Sequence, residues 1–187
     1  MCDTCPPPDE LYERIDRAID ERRWFMTGVG VGPPEHLKWL YTVGLSEQLD
    51  HPELLVVGVC CAPCGGNILN ALAERVAAGE RFDVPTAEPL TFDRGGLLHV
   101  RDVPEACWAS SWFAMWLGYY REKPYAPPPA RAVQVLFTDD RGRFPWEPGC
   151  DPAIAYLQRL TDAPREIVMS GSSRRRRRPT RPRRWDR

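Results

Sequence analysis

Two pairs of cysteines have the spacing at which thiols bind metal or exchange disulfides. Cys2 and Cys5 form one C-x-x-C pair, and Cys61 and Cys64 form a second one directly after Cys60. Four thiolates in such pairs can bind zinc tetrahedrally. A C-x-x-C at a helix N-terminus can instead carry thiol redox chemistry. The sequence therefore leaves three alternatives open: a zinc site at Cys2, Cys5, Cys61 and Cys64, a redox site at Cys60, Cys61 and Cys64, or thiols that only fill a strand–helix corner.

A histidine and a carboxylate form the second candidate group. His51 lies two residues before Glu53, so the two side chains could act as an acid–base pair. Since Pro52 follows His51, the alternative is that the imidazole fixes a turn by bonding to the backbone, and we favour this structural role. Catalytic roles for Cys61, Cys64 and His51 are the weaker hypothesis.

Aromatic residues form the third candidate group. Trp108, Trp112 and Trp116 recur every four residues, a spacing that predicts one face of a single helix. Such rings can line a ligand pocket or a partner surface, or they can fill the core. The predicted ligand or partner surface comprises Tyr41, His51, Trp108, Trp112, Trp116 and Trp146.

The last 14 residues differ in charge from the rest. Residues 174–187 contain nine arginines and one aspartate, and the chain as a whole has 25 basic and 26 acidic residues. The preceding 173 residues therefore carry about −9 and this segment +8. We expect a disordered tail and favour a tolerated low-complexity end over a dedicated nucleic-acid function. Nonspecific binding to nucleic acid in vitro is still expected, and the tail could equally bind the acidic body of its own chain. The polyanion-binding candidates are Arg174, Arg175, Arg176, Arg177, Arg178, Arg181, Arg183 and Arg184.

Four helices are predicted to position these groups. Helical spacing of apolar residues predicts one over 9–23 with Asp9 as N-cap, and another over 65–78. The aromatic segment 107–120 is predicted to be a third. A short final helix is predicted after Asp151, its N-cap, with Pro152 in the first position.

Strands are predicted from alternating or continuous apolar runs. The run 54–59 suits a central strand that is buried on both faces, and 46–52 is predicted to be a polar loop. The predicted strands are 24–31, 37–45, 54–59, 89–92, 97–100 and 131–138. The fold class is α+β: a mostly antiparallel sheet of five or six strands with three or four short helices, followed by the disordered arginine-rich tail.

Length and composition limit the classes of protein. A chain of 187 residues with 43% hydrophobic residues predicts one domain over 9–160, preceded by a leader (1–8) and followed by a linker and tail (161–187). No apolar run approaches the ~20 residues of a membrane helix. Since no signal peptide is recognisable, we expect a cytosolic protein with reduced thiols.

Four sequence blocks, in order, resemble one family. They are YTVGL (41–45) with HPEL (51–54), LNALAERV (69–76), GERF (79–82) and GRFPWEPG (142–149). Together they resemble the uncharacterised bacterial domain-of-unknown-function family 4262 over roughly residues 1–160. The resemblance implies a small cytosolic α+β domain and no established activity, substrate or cofactor.

The most specific functional hypothesis is a non-enzymatic cytosolic domain that binds a small ligand or a protein partner. No cofactor is predicted, with zinc left open, and no membrane partner is expected. Phosphate-binding loops, dinucleotide fingerprints, nucleophile elbows and metalloprotease motifs are all missing from the sequence. The alternatives are thiol or zinc chemistry at the cysteines and nucleic-acid binding through the tail.

Overall fold

The computed structural model describes residues 7–29, 39–58, 62–82, 89–92, 96–108 and 111–158, with only the backbone at 62–64 and 111. The leader and the arginine-rich tail that the sequence predicts lie outside these residues. Within the described part, a sheet carries helices on both of its faces.

Six strands form one mixed sheet, as predicted. They are β1 (Phe25–Val29), β2 (Trp39–Val43), β3 (Glu53–Val57), β4 (Leu90–Thr91), β5 (Leu97–Asp102) and β6 (Ala132–Phe137). Their spatial order is β1-β2-β3-β6-β5-β4. The central pair β3–β6 is parallel, and the other four pairs are antiparallel. The predicted α+β class with a mostly antiparallel sheet is therefore confirmed.

Five helices are described, one more than the predicted maximum of four. They are α1 (Pro8–Arg22), α2 (Leu45–Gln48), α3 (Ala62–Ala77), α4 (Ala114–Arg121) and α5 (Pro152–Leu157). The segment that contains most of α2 was predicted to be a loop, because four residues are too short to show a helical period. At α5 the Asp151 carboxylate accepts a hydrogen bond from Ala153 N at 2.8 Å, as predicted. At α1 the predicted N-cap is wrong: the cap position is Pro7, and no side chain caps the helix.

The aromatic segment is not the single helix that its spacing predicts. Two 3₁₀ turns, Glu105–Cys107 and Ser111–Phe113, precede α4. Trp108 therefore lies before the helix and stacks on Phe113, with ring centroids 4.0 Å apart. Aromatic side chains are weak helix formers, and here tertiary packing overrides the period of four.

Hydrophobic cores lie on both faces of the sheet. On one face, α3 packs Leu69 and Leu72 against Leu54 and Val56 of β3. On the other, α1, the 3₁₀ turns and α4 pack against alternate residues of the same strands, including Leu55. Strand β3 is thus buried on both faces, as its continuous apolar sequence predicts. No helix in the described residues has the length and apolar character to cross a bilayer.

Candidate functional site

A buried carboxylate joins three separate parts of the chain. Glu53, the first residue of β3, is 0% exposed. One of its oxygens, Oε1, accepts hydrogen bonds from Gly44 N (3.1 Å), Ser46 N (3.2 Å), Ser46 Oγ (2.7 Å) and Trp116 Nε1 (3.3 Å). The other, Oε2, accepts one from Thr42 Oγ1 at 2.7 Å. The blocks YTVGL and HPEL thus meet at one carboxyl group.

The turn between β2 and α2 brings these donors together. Gly44 has φ 114°, a backbone conformation that residues with a side chain rarely adopt. The chain therefore reverses within one residue and points the N–H groups of Gly44 and Ser46 at Glu53. The Thr42 hydroxyl also accepts a hydrogen bond from Leu54 N at 2.9 Å, which fixes its direction.

Glu53 is held in an environment that favours the uncharged acid. Burial raises the pKa of Glu53, and the hydrogen bonds from Ser46 and Thr42 oppose this effect without cancelling it. Within the part of the chain that the structure describes, no cation pairs with it. A proton on Oε2 can be donated to Thr42 Oγ1, while Oε1 keeps its four donors.

The stability of the protein should therefore depend on pH through Glu53. Because its folded pKa is raised, its contribution to the free energy of unfolding is complete below the unfolded pKa of about 4.3 and is lost as pH rises through the folded pKa. We expect the free energy of unfolding of Glu53→Gln, relative to the wild type, to increase with pH above that value. Urea denaturation of both proteins at a series of pH values measures the difference. A constant difference across the series would contradict this assignment.

His51 has both ring nitrogens engaged by the backbone. Its Nδ1 lies 2.7 Å from Pro52 O, and its Nε2 lies 2.9 Å from Phe82 N. Since a carbonyl can only accept and an N–H can only donate, Nδ1 carries the proton and the imidazole is neutral. The guanidinium of Arg81 donates to the carbonyl of Asp50 at 2.6 Å, on the same turn. His51 thus ties the block GERF to the start of β3 through these two backbone contacts.

The aromatic residues expected at a binding surface are mostly in the interior. Tyr41 and His51 are 0% exposed, and the three tryptophans at 108, 112 and 116 are 6%, 3% and 2% exposed. Tyr41 accepts a hydrogen bond from Met115 N at 3.1 Å, and burial raises the pKa of its hydroxyl above the usual range. The expectation that these five residues form a surface is therefore corrected. Tyr41 and the three tryptophans pack between the sheet, α1 and α4. His51 is buried against Phe82, with ring centroids 6.0 Å apart.

Trp146 is the exception among the six. Its side chain is 44% exposed, although it stacks on Phe144 with ring centroids 4.8 Å apart and planes inclined by 3°. The His99 ring meets it edge-on at 5.1 Å, and the Arg101 guanidinium lies 6.0 Å from the centre of its ring. Burial, together with the charge of Arg101, lowers the pKa of His99, so this neighbour is neutral at neutral pH.

Two carboxylate side chains, those of Asp139 and Glu147, hold the Trp146 loop (residues 139–151) by accepting hydrogen bonds from its backbone. We call these the carboxylate staples of the loop. Asp139 accepts hydrogen bonds from the backbone N–H groups of Arg141 (2.9 Å), Arg143 (2.9 Å) and Asp151 (3.0 Å). These bonds, that of Arg143 first, lower the pKa of Asp139. The two ends of the loop are thus joined through one ionised side chain.

A second set of bonds fixes the centre of the loop. Glu147 accepts from Phe144 N at 2.6 Å, and the Arg143 guanidinium donates to Gly149 O at 2.7 Å. Gly149 has φ 81°, and a Cβ there would lie 2.2 Å from Arg143 Nη1. Trp146 is therefore presented by a pre-organised loop.

Comparison with known proteins gives the chain a family. A family model described as "Domain of unknown function (DUF4262)" matches residues 18–151, well over half of the chain. The chain belongs to the DUF4262 family. The match supports no specific function, and its range lies inside the predicted domain 9–160, whose bounds stay a prediction. Comparisons with curated proteins and with solved structures each gave no match.

The DUF4262 match contains the surroundings of Trp146. The loop exposes the carboxylates of Asp140, Glu147 and Asp151, and in the described residues none of the three forms an ion pair within 4.0 Å. A cavity of about 590 Å³ lies against the loop. Its lining includes Asp139, Asp140, Arg141, Cys150 and Pro152. Residues 139–151 contain four acidic and two basic side chains, a net charge of −2, and the Arg101 guanidinium lies beside the indole. This corner of the DUF4262 domain therefore combines an exposed indole with a small excess of negative charge.

Cys150 has no features of a nucleophile. Its thiol donates weakly to the carbonyls of Arg143 and Asp151, 3.6 and 3.7 Å away. Burial and then the charges of Asp139 and Asp151 raise the thiol pKa, which disfavours the reactive thiolate. Sequence reasoning missed the stapling role of Asp139. The available signal was an aspartate opening the turn Asp-Asp-Arg-Gly, because such a side chain often accepts from N–H groups two or more residues later.

The predicted cysteine chemistry falls largely outside the described part of the DUF4262 protein. Cys2, Cys5, Cys60 and Cys61 lie outside it, and of Cys64 only the backbone is described, near the start of α3. Among the described residues, no group of three or more His, Cys, Asp or Glu is placed to hold a metal ion. The zinc and redox alternatives therefore stay predictions.

Proposed function

We propose that this domain is a non-catalytic binding module for a cationic, proline-containing protein segment, with Trp146 as its anchor. The observation that carries the proposal is a 44% exposed indole on a loop fixed by the Asp139 and Glu147 staples. Exposed tryptophan is favoured at binding hot spots because it buries a large area with little loss of side-chain entropy.

The charge next to Trp146 indicates the class of segment. Carboxylates at Asp140, Glu147 and Asp151 attract guanidinium groups, which also stack on indole faces. Proline rings dock against exposed aromatic side chains in the recognition of polyproline-type segments. A segment containing both arginine and proline therefore matches both features of the loop.

The chemistry of the buried groups supports binding rather than catalysis. Glu53 is fully enclosed, and the ring nitrogens of His51 are engaged by backbone groups. We also propose a cytosolic location. The support is the seven cysteines of the sequence, an odd number that cannot all pair within one chain, because free thiols persist in reducing compartments.

Substitution of Trp146 tests the proposal. We expect Trp146→Ala to weaken binding of a fluorescein-labelled peptide with the sequence of residues 174–187 at least tenfold, since the anchor is lost. Fluorescence anisotropy at 50 mM salt measures the affinity. The matched control is Tyr125→Ala, which removes a similarly exposed ring (45%) that interacts with Glu47 instead. Equal affinity of Trp146→Ala and the control would contradict the proposal.

A further inference from the structure

We infer that the Trp146 loop binds the arginine- and proline-rich segment 174–187 of its own chain. This inference rests on the proposed function, because it names the occupant of the same surface. The segment carries +8, and the first 173 residues carry about −9. The interaction would be intramolecular and would compete with other cationic segments.

The spacing within the segment fits an aromatic docking surface. Pro179 and Pro182 are three residues apart, with Arg181, Arg183 and Arg184 around them. A polyproline II helix has three residues per turn, so in that conformation both prolines would share one side. The prolines can then contact Trp146, while arginines reach the carboxylates of the loop.

The connection along the chain favours binding to this loop over other acidic surfaces. The last described residue, Gln158, bonds through its side chain to the backbone N–H and C=O of Phe137, at 2.8 and 2.7 Å. Phe137 ends β6, two residues before Asp139, so the chain is anchored beside the Trp146 loop. The 21 residues from Gln158 to Pro179 have a root-mean-square span of about 25 Å if they behave as a flexible chain. Such a tether gives an effective concentration of the order of millimolar.

A competing acidic surface lies on α1. Asp9, Glu13 and Asp20 are exposed there and, among the described residues, form no ion pair within 4.0 Å. This surface could attract the arginines electrostatically, but it lacks an exposed indole. Binding at the two surfaces should therefore differ in its dependence on the prolines of the segment. Binding at α1 would depend on arginine alone, whereas binding at Trp146 would depend on both.

Full-length variants and NMR of the tryptophan indoles test the inference. The indole signal of Trp146 is assigned as the one that disappears in Trp146→Phe. We expect this signal to differ between the wild type and the variant Pro179→Ala/Pro182→Ala, and the difference to disappear above about 0.5 M salt, where charge attraction is screened. We also expect the separate peptide of residues 174–187 to bind the proline variant at least about fivefold more tightly, because the internal competitor is weakened.

Three outcomes would overturn the inference. The first is an identical Trp146 signal in the wild type and the proline variant at 50 mM salt. The second is a difference that grows with protein concentration from 20 to 200 μM, which would assign the segment to a second copy of the chain. The third is a response at α1 amides alone. If the separate peptide still binds in a Trp146-dependent way, the proposed function survives and only the internal occupant is wrong.

Discussion

Replacement of Glu53 by alanine is expected to lower the free energy of unfolding by about 3–5 kcal/mol. The substitution removes the acceptor for donors from β2, α2 and α4, all of them in buried surroundings. Each buried donor left without a partner costs about 1–3 kcal/mol, although water entering the space would recover part of this. Since domains of this size are stable by about 5–15 kcal/mol, the variant should be marginal.

The matched control is Glu53→Gln, which keeps the shape and one carbonyl oxygen. Its amide oxygen can take the place of Oε1 as the acceptor, and its NH₂ group can donate to Thr42 as the protonated acid would. We expect it to lie within about 1 kcal/mol of the wild type near pH 5. Urea unfolding followed by circular dichroism measures both variants. A Glu53→Ala protein as stable as Glu53→Gln would show that the network contributes little.

The second large effect is expected at Gly44. Alanine there would have to adopt φ 114°, and its Cβ would lie 2.9 Å from the Arg23 carbonyl and 3.0 Å from Ile19 Cγ1. Neither contact can be relieved by moving the end of a flexible side chain, since the Arg23 oxygen belongs to the backbone and Ile19 lies in the core. The strain and the clash together should cost about 2–4 kcal/mol.

Gly79→Ala separates the two causes. Gly79 also has a positive φ of 100°, but a Cβ there would meet nothing within 4 Å. We expect this control to lose about 1–2 kcal/mol from backbone strain alone. The excess loss in Gly44→Ala, measured by thermal or urea unfolding, reports the contact with α1. Equal losses at the two glycines would contradict the packing of α1 against the turn after β2.

The elements with local signals could be predicted from the sequence. Helix α1 and helix α3 have apolar residues at helical spacing, and β3 and β6 are apolar runs bounded by turns. The buried face of a helix or strand fixes the spacing of its apolar residues, so this periodicity can be recognised in a single sequence. The cap of α5 was also predicted, because Asp151-Pro152 is a local start signal.

The rest depends on contacts distant in sequence. Glu53 was paired with His51 on proximity, but its partners come from residues 42–46 and from Trp116, 63 positions away. Likewise, Trp112 packs on Trp39 of β2, 4.8 Å away, and not in a stripe with its neighbours. Contacts of this kind depend on tertiary packing between distant residues, so no spacing pattern in the sequence predicts them.

The exposure of the Trp146 side chain cannot be predicted from the sequence either. Its block, GRFPWEPG, marked it as a candidate together with five other aromatic residues. Only the loop geometry separates it from them. The staples from Asp139 and Glu147 hold the backbone so that Phe144 is 5% exposed, while its stacking partner faces solvent. The surviving part of the predicted binding surface is therefore a single residue and its surroundings.

The most direct test of the binding account is an NMR map of the labelled protein titrated with the peptide of residues 174–187. For this purpose the protein should carry Pro179→Ala/Pro182→Ala, so that its own segment competes less. We predict the largest shifts at the Trp146 indole and at the amides of residues 139–151 and 99–101. Shifts concentrated on the acidic face of α1, or a Trp146 signal unchanged at saturation, would contradict the assignment of the Trp146 loop as the binding surface.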